Sequence, residues 1–223
     1  MRHPDKGFTL VELMIVITII AIIAALAIPG LLRSKMSANH CNAGAALKSL
    51  VTYESIWRSQ DIDKNSVADF WTGDTAGFHF VQDASGRRVA LTDLGLGDAD
   101  YAPLVAYPAA AVGGGPAYAK AARQGYFFQA LTTDQEGNDY KATKSGASLT
   151  PAAAANLTAT NVARFGFTAF PAEYNTDGML QLVVGEDGTI WQKDRGAATG
   201  STFISRKAGP APGTDTGWSQ FGQ

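Results

Sequence analysis

Residues 13–32 carry no charged side chain, and their only hydroxyl belongs to Thr18. Twenty uncharged, mostly apolar residues match the length an α-helix needs to cross a bilayer core of roughly 30 Å. Inside lipid the backbone has to satisfy its own hydrogen bonds, and a helix does so within one segment. A cleavable secretory signal has an apolar core of only about 7–15 residues, with a small-residue cleavage site beyond it. Here the run is longer and the sequence after it stays helical in pattern. Arg2 and Lys6 stand just before the run. Basic residues at that place favour a cytoplasmic N-terminus, which puts the rest of the chain on the far side of the membrane.

Two features interrupt this simple anchor. Glu12 lies at the start of the apolar run. A charged side chain at a bilayer centre costs roughly 2.5–3.5 kcal/mol on insertion scales, and less near the interface. The carboxylate is therefore either interfacial and satisfied by water, or paired with a group outside its own segment. Further on, Pro29 removes a backbone donor and Gly30 weakens the helix again. Together they predict either a kink in a continuous helix or a locally unwound stretch.

Beyond Leu32 the pattern becomes amphipathic. Ala43, Ala46, Leu47, Leu50, Tyr53 and Trp57 share one face of a 3.6-residue period. Lys48, Ser49, Ser55 and Ser59 fall mostly elsewhere. The helix is expected to run from about residue 8 to about residue 60, roughly 75 Å at 1.5 Å per residue. Its second half offers a stripe for packing a sheet.

The segment Gly7-Phe8-Thr9-Leu10-Val11-Glu12-Leu13-Met14-Ile15-Val16, continuing through Ile28-Pro29, resembles the prepilin junction of type IV pilins and type II secretion pseudopilins. The resemblance covers about thirty residues. It joins a Gly–Phe junction, a Glu five residues past the Gly, an uncharged span and a Pro near its end. It implies a leader over residues 1–7, cut between Gly7 and Phe8 by a prepilin peptidase that also N-methylates the new Phe8 amine. It implies a transmembrane and filament-core helix over 8–32, and an extracytoplasmic domain over 33–223 that includes the second half of the helix. In the family, a Glu at the position of Glu12 pairs with the Phe8 amine of a neighbouring subunit, and melting near Pro29 and Gly30 accompanies assembly. The implied partners are copies of the same chain in a helical filament, the peptidase, the inner membrane before assembly, and pilus or type II secretion machinery. The implied location is the inner membrane, then a periplasmic or cell-surface filament.

Four runs in the remainder read as strands: 126–131, 164–170, 179–184 and 189–193, with Glu186-Asp187-Gly188 as a hairpin turn. The fold class is thus α+β: a long N-terminal helix whose C-terminal half packs on an antiparallel sheet of about four strands. Sequential hairpins lead one to expect a sheet with one face on the helix and the other wet. Ser66-Val-Ala-Asp69 has a helix-start pattern, with a short helix expected to Trp71. Residues 73–77 and 98–124 read as loops, and 142–161 as a low-complexity insertion. The stretch from Arg206 reads as irregular, with Trp218 and Phe221 docking its end back onto the domain.

The chemistry-bearing residues assemble into nothing catalytic, so no enzyme and no cofactor are expected. A formal net charge of −2 and the lack of a dense Lys/Arg run argue against a nucleic-acid partner. Cys41 is the only cysteine, so an intramolecular disulfide is excluded. That is a departure from the many major pilins with a C-terminal disulfide loop. His40 and His79 stand apart from any Cys or acidic ligand and read as structural. Asp134, Glu136, Asn138 and Asp139 group hard oxygen ligands of the kind calcium prefers, without the spacing of an EF-hand loop; a solvated turn is the plainer reading. Asn156-Leu-Thr158 matches a glycosylation sequon. Three functions remain in play: a pilus subunit, a pseudopilin of a type II secretion system, and a monomeric membrane-tethered binding domain. Glu12 counts against the third, because a mere anchor gains nothing from that carboxylate.

Overall fold

Thr9 begins the first element. Its backbone is extended (φ −83°, ψ 153°), and its side chain and that of Glu12 cap each other's backbone N–H in a capping box. The helix that follows, α1 (Leu10–Gln60), has 51 residues and is continuous through Pro29, which at 1.5 Å per residue makes it about 76 Å long. It stops at Asp61, whose left-handed φ of 45° is a common way to end a helix. The computed structural model describes residues 7–62, 66–80, 91–92, 96, 99, 121–131, 160–196 and 217–222.

The remaining described elements are β1 (Phe70–Trp71), α2 (Gly77–Phe80), β2 (Tyr126–Ala130), β3 (Thr160–Asn161), β4 (Gly166–Pro171), β5 (Leu180–Gly185), β6 (Ile190–Asp194) and β7 (Ser219–Gln220). Five of them form one antiparallel sheet in the order β2-β4-β5-β6-β7, and β1 pairs with β3 in a separate ribbon. The β5–β6 hairpin turns where the Asp-Gly signal predicts. The Gly188 N–H reaches the Gly185 carbonyl at 3.0 Å, and Gly188 has the positive φ of 70° that glycine tolerates best.

The core lies between the second half of α1 and this sheet. Ala43, Leu47, Leu50 and Trp57 meet Phe128, Ala130, Phe165, Phe167, Ala169, Leu182, Val184 and Ile190 in a single cluster. The two periods of the sequence come together here. The helix offers a residue every three or four positions, and each strand offers alternate residues. Tyr126, Phe128 and Ala130 point inward on β2, whereas Phe127 and Gln129 are only half-buried.

The expected antiparallel sheet on the helix is present, and the C-terminal stretch adds the short β7 to its β6 edge. Three other expectations need correction. Ser66 begins no helix: its φ is 63°, and its N–H is bonded to the Asp61 carboxylate at 3.1 Å. The chain reverses there, and Phe70 and Trp71 pair with Asn161 and Thr160, so the end of the low-complexity stretch is strand. Finally, the outer face of the sheet is not wet at its centre, since β4 is buried along its whole length. Phe127 packs on Phe170, Leu131 and Val183 cluster with Trp218, and Gln181 Nε2 donates to Thr168 Oγ1 at 2.9 Å.

The expected docking of the C-terminal end is seen. The Phe221 N–H bonds the Ile190 carbonyl at 2.8 Å, and its ring lies 5.2 Å from that of His40. Gly44 on α1 makes room for it: a Cβ there would stand 2.5 Å from Phe221 Cζ.

Candidate functional site

The site is the first half of α1 and the junction before it. Phe8 is 85 % exposed. Within the capping box the Glu12 carboxylate accepts from Thr9 through a single oxygen, Oε2, at 2.9 Å from the backbone N–H and 2.8 Å from the hydroxyl. The Glu12 N–H in turn reaches Thr9 Oγ1 at 3.2 Å. Local hydrogen bonds therefore hold the carboxylate at the very start of the helix. Phe8 precedes Thr9 directly, so the amine that cleavage after Gly7 would create lies beside this group in sequence.

From residue 10 to residue 32 every large apolar side chain is exposed. The hydroxyls of Thr18 and Ser34, within and just past this stretch, turn back on their own helix. Thr18 Oγ1 donates to the Met14 carbonyl at 2.7 Å and Ser34 Oγ to the Gly30 carbonyl at 3.0 Å, which hides each hydroxyl from an apolar surrounding. Pro29 has no N–H to give the carbonyl four residues earlier, yet the helix passes through Pro29 and Gly30 unbroken. This part of α1 is long and apolar enough to cross a membrane, and no part of its most apolar window is buried.

Comparison with known proteins places this geometry. Residues 2–28 match the family model described as "Prokaryotic N-terminal methylation motif". The chain is 48% identical over 61 residues to the "Type IV wide pilus major component PilA4" of Thermus thermophilus, covering 27% of this chain and 44% of that one. It is 39% identical over 66 residues to the "Type IV major pilin protein PilA" of Myxococcus xanthus, covering 30% and 29%. Residues 83–219, well over half of the chain, match the model described as "Protein of unknown function (DUF2950)". The chain belongs to the DUF2950 family, and its N-terminus matches the prokaryotic N-terminal methylation motif. The matched stretch spans less than half the length of each of these pilins. No solved structure matches the chain. Strands β2 to β6 lie inside the DUF2950 region, and no signal in the sequence reading pointed to that family.

The other residues weighed as sites in this DUF2950 chain are placed as follows. Asp134, Glu136, Asn138 and Asp139, and the sequon at Asn156, lie outside the described residues. Among the described residues no group of three or more His, Cys, Asp or Glu side chains could hold a metal ion. His40 Nε2 is 2.8 Å from Gln192 Oε1, and His79 Nδ1 is 2.9 Å from the Thr92 carbonyl. Both histidines thus tie elements together, as a structural role requires. Cys41 is exposed on α1.

One buried acid escaped the sequence reading. Glu54 is fully buried on the packing stripe of α1, and its Oε2 accepts the Trp71 N–H at 2.9 Å. Burial pushes its carboxyl well above the usual carboxylate range; the Trp71 N–H opposes this in part, and nearby Asp69 adds to it. The only clue in the sequence was a stripe spacing of Leu50, Glu54, Trp57 that an acid interrupts.

Proposed function

We propose that this chain is a structural subunit of a type IV pilus-like filament. Prepilin peptidase hydrolyses the Gly7–Phe8 peptide bond on the cytoplasmic face and methylates the freed Phe8 amine. The helix over 8–32 holds the subunit in the inner membrane until assembly, and then becomes filament core. Glu12 pairs with the Phe8 amine of a neighbouring subunit. Opposite charges brought together in an apolar core attract strongly, and the pairing sets the axial register between subunits. Pro29 and Gly30 supply the place where the helix yields as subunits pack.

One observation carries this reading. A 23-residue stretch of α1, residues 10–32, exposes every large apolar side chain, and most of it lies within the methylation-motif match over residues 2–28. Exposed apolar surface on that scale has to be covered by lipid or by other subunits. The capping box adds to it, because Glu12 spends one oxygen on Thr9 and leaves the other to accept from a partner.

The test is to shear cells that express the protein and analyse its N-terminal peptide by mass spectrometry in sheared and membrane fractions. N-methylated Phe8 in abundant sheared filaments is the expected result. The same terminus confined to membranes would instead mark a pseudopilin or minor subunit. An intact Met1 in both fractions, with the peptidase present, would overturn the proposal.

A further inference from the structure

The seam between α1 and β1 contains a buried carboxyl group that has no part in anchoring or polymerisation. Glu54 Oε2 holds the Trp71 N–H, but Oε1 has no hydrogen-bond partner, and neither does the buried Trp57 Nε1 one turn along the helix. The Trp57 and Trp71 rings close over this place with centroids 5.2 Å apart. No described cation forms an ion pair with Glu54. The nearest basic residue along the helix, Arg58, lays its guanidinium over the Phe70 ring at 4.7 Å.

Among the described residues, the other elements around the seam bring no cation to Glu54 either. The β1 segment brings Asp69, which repels a carboxylate, and Asp74, whose Oδ1 accepts the Gly77 N–H at 2.6 Å. His79 on α2 is bonded to the Thr92 carbonyl. Strands β2, β4 and β5 contain no charged residue. An ionised carboxyl here would keep one N–H donor, lose its water and face a like charge, which disfavours the charged form strongly.

We propose that Glu54 is a pH-operated clasp, holding β1 against α1 as a neutral acid and releasing it as a carboxylate. β1 is the element able to move, since only two residue pairs join it to β3. Release lets water reach the carboxylate and uncovers Phe70, Trp71 and Trp57 at the end of α1 farthest from the membrane anchor. The direction follows from linkage. The folded chain holds this proton more tightly than the unfolded chain does. The stabilisation is therefore complete below the ordinary Glu value of about 4.3, and is lost as pH rises through the raised folded value. The device is independent of filament assembly and stands whether or not the chain enters a pilus.

The test uses the full chain in detergent and the variant Glu54→Gln, which mimics the neutral acid. Infrared spectra at neutral pH should contain a protonated-carboxyl band in the wild type that the variant lacks. The wild-type melting temperature should fall as pH rises above the ordinary Glu value and through the raised folded value, with a smaller fall in the variant. Absence of the band difference, or an unchanged slope in Glu54→Gln, overturns the proposal. If Glu54→Gln does not fold, Asp69→Asn serves instead. Removing the like charge should move titration of the wild-type band to lower pH, and an unmoved titration overturns the clasp equally.

Discussion

From residue 10 to residue 32 the large apolar side chains of α1 are 46–78 % exposed, while Ala43, Leu47, Leu50 and Trp57 on the same helix are 2 % exposed or less. The first half is apolar all round, as a segment surrounded by lipid or by other helices has to be. The second half is apolar on one stripe, because a single sheet covers it. One unbroken helix thus carries two different kinds of surface along its length, and the change falls between Leu32 and Asn39. Lys35 and Asn39 mark that boundary by reaching to Asp177, at 3.0 Å and 2.9 Å, in the β4–β5 connection. Hydrogen bonds brace the globular domain against the helix at the point where apolar burial begins.

This contrast can be broken most drastically at Glu12. Glu12→Ala should leave cleavage after Gly7 intact and abolish efficient assembly, scored as sheared filament yield against the mass of the N-terminal peptide. A normal yield would sink the pairing. Next in size is a comparison of two truncations in the detergent-solubilised chain. Leu47→Ala, at a wholly buried position, should lower domain stability by about 2–5 kcal/mol. Ile22→Ala, in the exposed half, should change it by less than about 0.5 kcal/mol. Equal effects in thermal melts would mean that the two halves are not distinct.

A smaller effect is expected at Gly44, where an added methyl meets Phe221. Gly44→Ala should cost about 1–3 kcal/mol through overpacking, and most of that penalty should vanish in a Phe221→Ala background. Smallest is Lys35→Ala. Its bridge to Asp177 is half-exposed on the lysine side, so a loss of at most about 1 kcal/mol, shrinking further in high salt, is expected.

Much of this was legible beforehand because it rests on local periodicity. The helix limits, the stripe at Ala43, Leu47, Leu50 and Trp57, four strands and the hairpin turn all follow from patterns that repeat within a few residues. What escaped has no such pattern. β1, β3 and β7 are two residues each, too short to carry a period of two. Ser66 imitated a helix start because a capping pattern is silent about the Asp61 carboxylate that captures its backbone. The outer sheet face was expected to be wet because hairpin-built antiparallel sheets commonly leave one face to solvent. Thr168 and Gln181 are nevertheless buried there, joined by a hydrogen bond from Gln181 Nε2 to Thr168 Oγ1.

Glu54 marks the limit of sequence reading most sharply. A charged side chain ordinarily lies at the surface, yet Glu54 is fully buried. Only the arrival of Trp71, seventeen residues later, with an N–H aimed at its carboxylate, makes burial tolerable. The order of residues along the chain set the apolar half of α1, the methylation-motif match and the helix that contains both, since each rests on contiguous residues. Contacts between distant segments set the rest: the β1 seam, the C-terminal strap over Gly44, and a buried acid. Such pairs meet in space but leave no spacing in sequence.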